Sequence, residues 1–167
     1  MVLKPQDLVI ALKLTLMGPG AWTYESLAKD LAMSPSEVHG GVKRLIQAKL
    51  LTPNRMVIRE SLREFLAHGV RYAFPPTLGG KARGVPTAHA AEPLAARIQA
   101  SDEDPPVWPY AEGTVRGQSF SPLYRSVPGV ALKDRALYEL LALTDAVRGG
   151  RARERELAAK MLGERLR

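Results

Sequence analysis

Lys43, Arg44, Lys49, Arg55 and Arg59 fall within one short stretch of the chain, and Glu37 is the one acidic side chain between positions 34 and 59. Cations at this density attract polyanions, and each one that neutralises a phosphate adds a salt-dependent increment to binding. Just upstream, Ser34-Pro35-Ser36-Glu37 has the residue types of a helix start. The Ser34 hydroxyl can accept from the free N–H of Glu37, and the Glu37 carboxylate can reach back to the Ser34 N–H. Pro35 takes the first helical position, where its missing donor costs nothing. Covalent and acid–base chemistry has far less to work with. The absence of cysteine excludes disulfides, thiolate zinc sites and thiol catalysis. His39, His68 and His89 are too scattered to suggest a metal site, and no H-E-x-x-H, P-loop or G-x-S-x-G pattern occurs. Asp102-Glu103-Asp104 has the composition of a nuclease metal cluster, but its place before Pro105-Pro106 fits a solvated linker. We expect no enzyme, no cofactor and no metal site.

The elements that must position the basic stretch are legible on either side of it. Leu27, Ala28 and Leu31 fall on one face of a short helix, and Val38, Val42, Leu45 and Ile46 recur at helical spacing in the next. Two short amphipathic helices with a tight break and a capped second start are the layout of a helix-turn-helix. Lys4-Pro5-Gln6-Asp7 opens an earlier helix that runs to about Met17 and is apolar nearly all round, so it must be buried on more than one side. One side would pack on the helix-turn-helix, leaving the other for a second domain or a second subunit. Gly18-Pro19-Gly20 ends that helix, and Thr23 is placed to cap the next. Leu50-Leu51-Thr52 and Met56-Val57-Ile58 flank Pro53-Asn54-Arg55 as a small hairpin would, and a further helix is predicted from about Arg59 to Ala73, stopped by Pro75-Pro76.

The pattern from Thr23 to Ile58 resembles the winged helix-turn-helix of bacterial transcription regulators, in particular the MarR-like and related groups. The resemblance covers roughly the first 75 residues. It implies that the helix from Pro35 to about Lys49 enters the major groove of double-stranded DNA, with Ser36, His39, Gly40, Lys43 and Gln47 facing it. Lys43 and His39 can donate to base acceptors or phosphates, and Gln47 can pair with adenine edges. Arg55 at the hairpin tip and Arg44 on the helix flank would contact phosphates, and Ser34 and Ser36 offer hydroxyls and free N–H groups at the helix start. Gly40-Gly41 departs from a strong helix, costing about 1 kcal/mol per glycine relative to alanine, and permits close approach to DNA or to another helix.

Composition sets the bounds on the rest. The chain has 167 residues, 46% hydrophobic and 25% charged, with a net charge of +7. That is a globular composition with a bias toward anionic partners. The excess is shared, since residues 1–78 carry 10 basic and 6 acidic side chains and residues 79–167 carry 14 and 11. No span fits a membrane crossing or a secretory signal, so a cytoplasmic location is expected. Thr77 to about Pro109 is predicted as a long irregular connection, with a short helix around Leu94 to Ala100. Val107 to Tyr110 and Thr114 to Ser119 read as short extended pieces. Trp108 and Tyr110 read as apolar anchors for this segment, with a ligand pocket as the alternative. Leu132 to Arg148 and the stretch from Arg151 should form a helical pair, joined at Gly149-Gly150 through a solvated, partly ion-paired cluster of Arg148, Arg151, Arg153 and Arg155.

The expected fold is therefore mainly α. Residues 1–76 form a winged helix-turn-helix domain, and residues 77–167 form a loop-rich, mostly helical region ending in a helical pair. The leading functional expectation is a sequence-specific transcriptional regulator acting as a homodimer through the first helix, the C-terminal pair, or both. Two alternatives stand beside it. One is an antitoxin or adaptor whose C-terminal half binds a partner protein. The other is a nucleic-acid-processing enzyme dependent on Asp102 or Asp104.

Overall fold

The computed structural model describes residues 1–167. Pro5–Thr15 form α1, which starts where the Asp7 carboxylate accepts from the Lys4 N–H at 2.8 Å. Tyr24–Leu31 form α2, capped reciprocally by Thr23 and Ser26 at 3.0 and 2.8 Å. Ala32 then turns left-handed at a φ of 51°, Met33 is buried beneath the turn, and Pro35–Gln47 form α3. The expected hairpin is one bridge wide, between Leu51 and Val57, supported by the Thr52 N–H donating to the Met56 carbonyl at 2.8 Å. These helices and their short hairpin make a generic winged-helix-like arrangement.

The helix predicted from Arg59 to Ala73 is divided. Arg59–His68 form α4 and Val70–Ala73 form α5, with the break at Gly69, where glycine contributes least to helix stability. A larger correction concerns residues 77–109. Leu78–Pro86 form a nine-residue strand, β1, where an irregular connection was expected. It pairs antiparallel with both Pro106–Pro109 (β2) and Val115–Phe120 (β3), while β2 and β3 pair parallel to each other, so the three strands close on themselves. Gly84, one of the glycines that depress the strand propensity of this segment, is required by the closure, and so is Gly117 in β3. A Cβ on Gly84 would lie 1.9 Å from the Trp108 carbonyl oxygen, and one on Gly117 would lie 2.0 Å from that of Pro105. The short helix expected near Leu94 is a single 3-10 turn, Leu94–Ala96.

Val127–Lys133 form α6, Arg135–Gly149 form α7 and Ala152–Arg165 form α8. The helix expected from Leu132 starts three residues later because Asp134 caps α7, its carboxylate accepting from the Leu137 N–H at 3.1 Å. The expected C-terminal helical pair is present as α7 and α8 packed together. Apolar burial is continuous, with one cluster of 37 buried residues drawing on α1 to α5, the sheet and α6 to α8. The all-round apolar α1 is covered by α3 on one side and by α7 of the same chain on the other, and Lys13 pairs with Asp134 at 2.7 Å where α1 meets α7. No helix is long and apolar enough to cross a membrane.

A buried polar cluster holds the sheet to α7. Asp145 accepts from the Thr87 hydroxyl and the Trp108 indole N–H, each at 2.7 Å, and from Arg148 at 2.6 Å. Arg148 also donates to the Phe74 carbonyl at 2.9 Å and lies over the Phe120 ring. Arg148 was expected at a solvated helix end and is instead buried, and Trp108 is an anchor of the core with no exposed surface. Burial pushes the Asp145 carboxyl up from its ordinary range, while Arg148, Thr87 and Trp108 pull it back. An Asp145→Asn substitution places amide hydrogens among donors that need an acceptor. It is expected to cost about 3 kcal/mol, as when one partner of a buried pair is removed. Urea unfolding would show a lower midpoint with an unchanged m value.

Candidate nucleic-acid interface

The direction in which α3 faces follows from how its inner side is held. Val38, Val42 and Leu45 are buried, and Gly41 lies against α1 so closely that a Cβ there would sit 2.4 Å from Ile10 Cδ1 and 2.9 Å from Asp7 Oδ1. Of the two glycines in this helix, Gly41 thus serves contact with another helix. Beside it, the Arg44 guanidinium donates through Nε and Nη2 to the two oxygens of the fully buried Asp7, at 2.7 and 2.9 Å. The pairing with Asp7 raises the Arg44 pKa further. Gly40 makes room for this side chain, since a Cβ there would lie 3.3 Å from Arg44 Nη1. Arg44, expected on the phosphate-facing flank, is therefore committed to joining α3 to α1.

At about 100° per residue, Ser36, Gly40, Lys43 and Gln47 form one strip along the outside of α3. Ser36, Lys43 and Gln47 are exposed and Gly40 is half-buried. Exposed His39 forms one border of the strip, where its ring lies 4.9 Å from that of Tyr24. Tyr24 in turn meets Trp22 edge-on at 5.5 Å, and the Arg55 guanidinium lies over both, 5.3 Å from the Trp22 ring and 5.5 Å from the Tyr24 ring. The hairpin tip, with Arg55 at a φ of 64°, is thus laid against the start of α2. Its arginine is presented from an aromatic shelf beside His39. Cation–π seating limits the conformations of the side chain and leaves its in-plane N–H groups free.

The helix start is built as the residue types required. The Ser34 N–H donates to Glu37 at 2.7 Å and the Glu37 N–H to the Ser34 hydroxyl at 3.1 Å. No family model, curated protein or solved structure matches this chain. The chemistry of the surface lies in its own geometry. Its exposed groups from α3 and the hairpin are hydrogen-bond donors, hydroxyls, an amide and the cations Lys43 and Arg55, a set suited to phosphate oxygens and base edges. Elsewhere, no group of three or more His, Asp or Glu side chains converges to hold a metal. Asp104 pairs with Lys81 at 3.5 Å, and Glu103 pairs with Arg151 at 2.7 Å.

Two residues of this surface lie outside the resemblance altogether. Tyr124 and Arg125, in the loop between β3 and α6, reach the start of α3 across 87 and 88 positions of sequence. The Tyr124 hydroxyl donates to Glu37, and Arg125 approaches the same carboxylate oxygen at 3.4 Å. No local signal in Ser121-Pro122-Leu123-Tyr124-Arg125 marks it as a neighbour of α3. The Tyr124 hydrogen bond, with help from the Ser34 N–H, holds the Glu37 carboxyl at about 2 instead of 4.5. Because the folded value is depressed, the stabilisation is complete above about 4.5 and is lost as pH falls toward about 2. The stability difference between wild type and Tyr124→Phe should therefore be constant near neutrality and shrink across that acidic window. Denaturant melts at a series of pH values would show it.

Proposed function

We propose that this chain is a sequence-specific regulator of transcription that reads the major groove of double-stranded DNA with α3. The observation that supports this reading is the division of α3 into two sides. Its inner side is locked by Gly41 packing and the Asp7–Arg44 pair, and its outer strip of Ser36, Gly40, Lys43 and Gln47 is left to solvent. A helix fixed in rotation and carrying donors outward suits base-edge readout. In this reading Lys43 and Gln47 contact bases, His39 contacts a base or a phosphate, Arg55 contacts a phosphate, and Ser34 and Ser36 contribute at the helix start. Two copies act together, placing two such helices one turn of DNA apart. The reading is that of a winged-helix protein in general, and the order of elements resembles that of the MarR-like groups.

Binding to duplexes from the DNA upstream of the chain's own gene, titrated with salt, tests this directly. Lys43→Ala should abolish the preference for the selected site over random duplex. Arg55→Ala should keep the preference and reduce the slope of log affinity against log salt by about 0.9, the value of one phosphate contact. Arg44→Ala should act differently from both, lowering the unfolding midpoint by exposing Asp7 unpaired while leaving the salt slope of the folded protein in place. Equal affinity of the wild type for every duplex tried would overturn the reading.

A further inference from the structure

Around α3 the positions Glu37 and His39 stand about 200° apart, so they lie on opposite borders of the strip formed by Ser36, Gly40, Lys43 and Gln47. At the His39 border stands Arg55, seated on Trp22 and Tyr24. At the Glu37 border stands Arg125, seated on the Tyr124 ring at 4.6 Å. The two arrangements are alike although they come from opposite halves of the chain. Each is an arginine laid on an aromatic face, and each aromatic is tied to α3, Tyr24 through the His39 ring and Tyr124 through the Glu37 carboxylate. The Arg125 side chain is 76% exposed. Its contact with Glu37 runs through a single terminal nitrogen at 3.4 Å, so most of its five N–H donors remain free.

We infer that Arg125 is a second phosphate-binding residue of the DNA interface, so that the reading strip of α3 is straddled by two aromatic-seated arginines, one from the hairpin and one from the β3–α6 loop. This rests on the DNA-binding reading and adds to it a contact from the C-terminal half. A helix lying in the major groove has a sugar-phosphate strand on each side. A cation on each border matches that arrangement. Glu37 alone at its border would repel the nearer strand. Tyr124 engages that carboxylate and Arg125 sets a positive charge outside it, which offsets the repulsion and turns free N–H donors toward the strand. Tyr124 is accordingly a positioning residue and Arg125 the contacting one.

The test is a salt titration of binding to a fluorescein-labelled random-sequence duplex, followed by anisotropy, for wild type, Arg125→Gln, Arg125→Lys, Arg55→Gln and the double variant Arg55→Gln/Arg125→Gln. Each single glutamine variant should lower the salt slope by about 0.9, and the double variant should lower it by about twice that. Arg125→Lys should retain most of the wild-type slope, since it keeps the charge. Circular dichroism and unfolding midpoints establish that the variants stay folded, because an exposed arginine should contribute little to stability. An Arg125→Gln slope equal to wild type, alongside a reduced Arg55→Gln slope, overturns the assignment of Arg125 and leaves the DNA reading standing. Wild type that binds no duplex at any salt concentration overturns both.

Discussion

The pairing of Asp7 with Arg44 is the contact on which the useful geometry of this protein depends. One carboxylate, fully withdrawn from water, closes the first turn of α1 through the Lys4 N–H and takes a two-point hydrogen bond from α3. A two-point contact between planar groups fixes rotation as well as distance, which a methyl group packed in a hollow does less well. Gly41 sits under this pair, and no larger residue would allow the two helices to approach as closely. Since α1 is itself clasped by α7, the rotation of α3 is set relative to the body of the chain, and its outward strip is fixed by default. The arginine looks like part of a binding surface by type and position, and its work lies in orienting that surface.

A second buried charge pair does comparable work in the C-terminal half. Asp145 and Arg148 gather the indole of β2, the hydroxyl of Thr87, the carbonyl of Phe74 and that of Ser121 around one point of α7. Burying a carboxylate is costly, and the cost is offset because both of its oxygens are engaged. The segments joined in this way have little regular structure of their own to hold them, since they are loop ends and a strand four residues long. The loop carrying Tyr124 and Arg125 leaves this cluster just after Ser121, so its position beside α3 is inherited from the buried network.

The N-terminal helices were legible because their signals are local. The Ser34–Glu37 cap, the apolar spacing of Leu27 to Leu31 and of Val38 to Leu45, and the proline and glycine stops each act within a few residues, and the structure follows them closely. The segment from Thr77 to Pro109 was not legible as a strand. Gly79, Gly80 and Gly84 read as loop residues, whereas at Gly84 the absent side chain is what lets another backbone pass. Arg44 and Arg148 were misleading in the same manner. By basic character Arg44 suggested a phosphate contact and Arg148 a solvated helix end, whereas both are paired inside the molecule, Arg44 with Asp7 across 37 positions and Arg148 with Asp145 three residues back in a helix whose depth no local pattern announces. The contact of Tyr124 with Glu37 is non-local, like that of Arg44 with Asp7.

The clasp of α1 between α3 and α7 also bears on how the chain is made. Leu8 to Leu12 are fully buried in the finished molecule, yet part of what covers them, including the Asp134 that pairs with Lys13, lies 121 positions later. At about 5–20 residues per second, translation leaves an interval of roughly ten seconds in which α1 and the helices after it exist without α7. During that interval one flank of α1 is an uncovered hydrophobic stripe on a nascent polypeptide. The early helices can collapse together on their own, but the final seating of α1 waits for the ribosome to deliver the last quarter of the chain. That delay leaves the newborn protein, more than the mature one, exposed to association through its apolar surface.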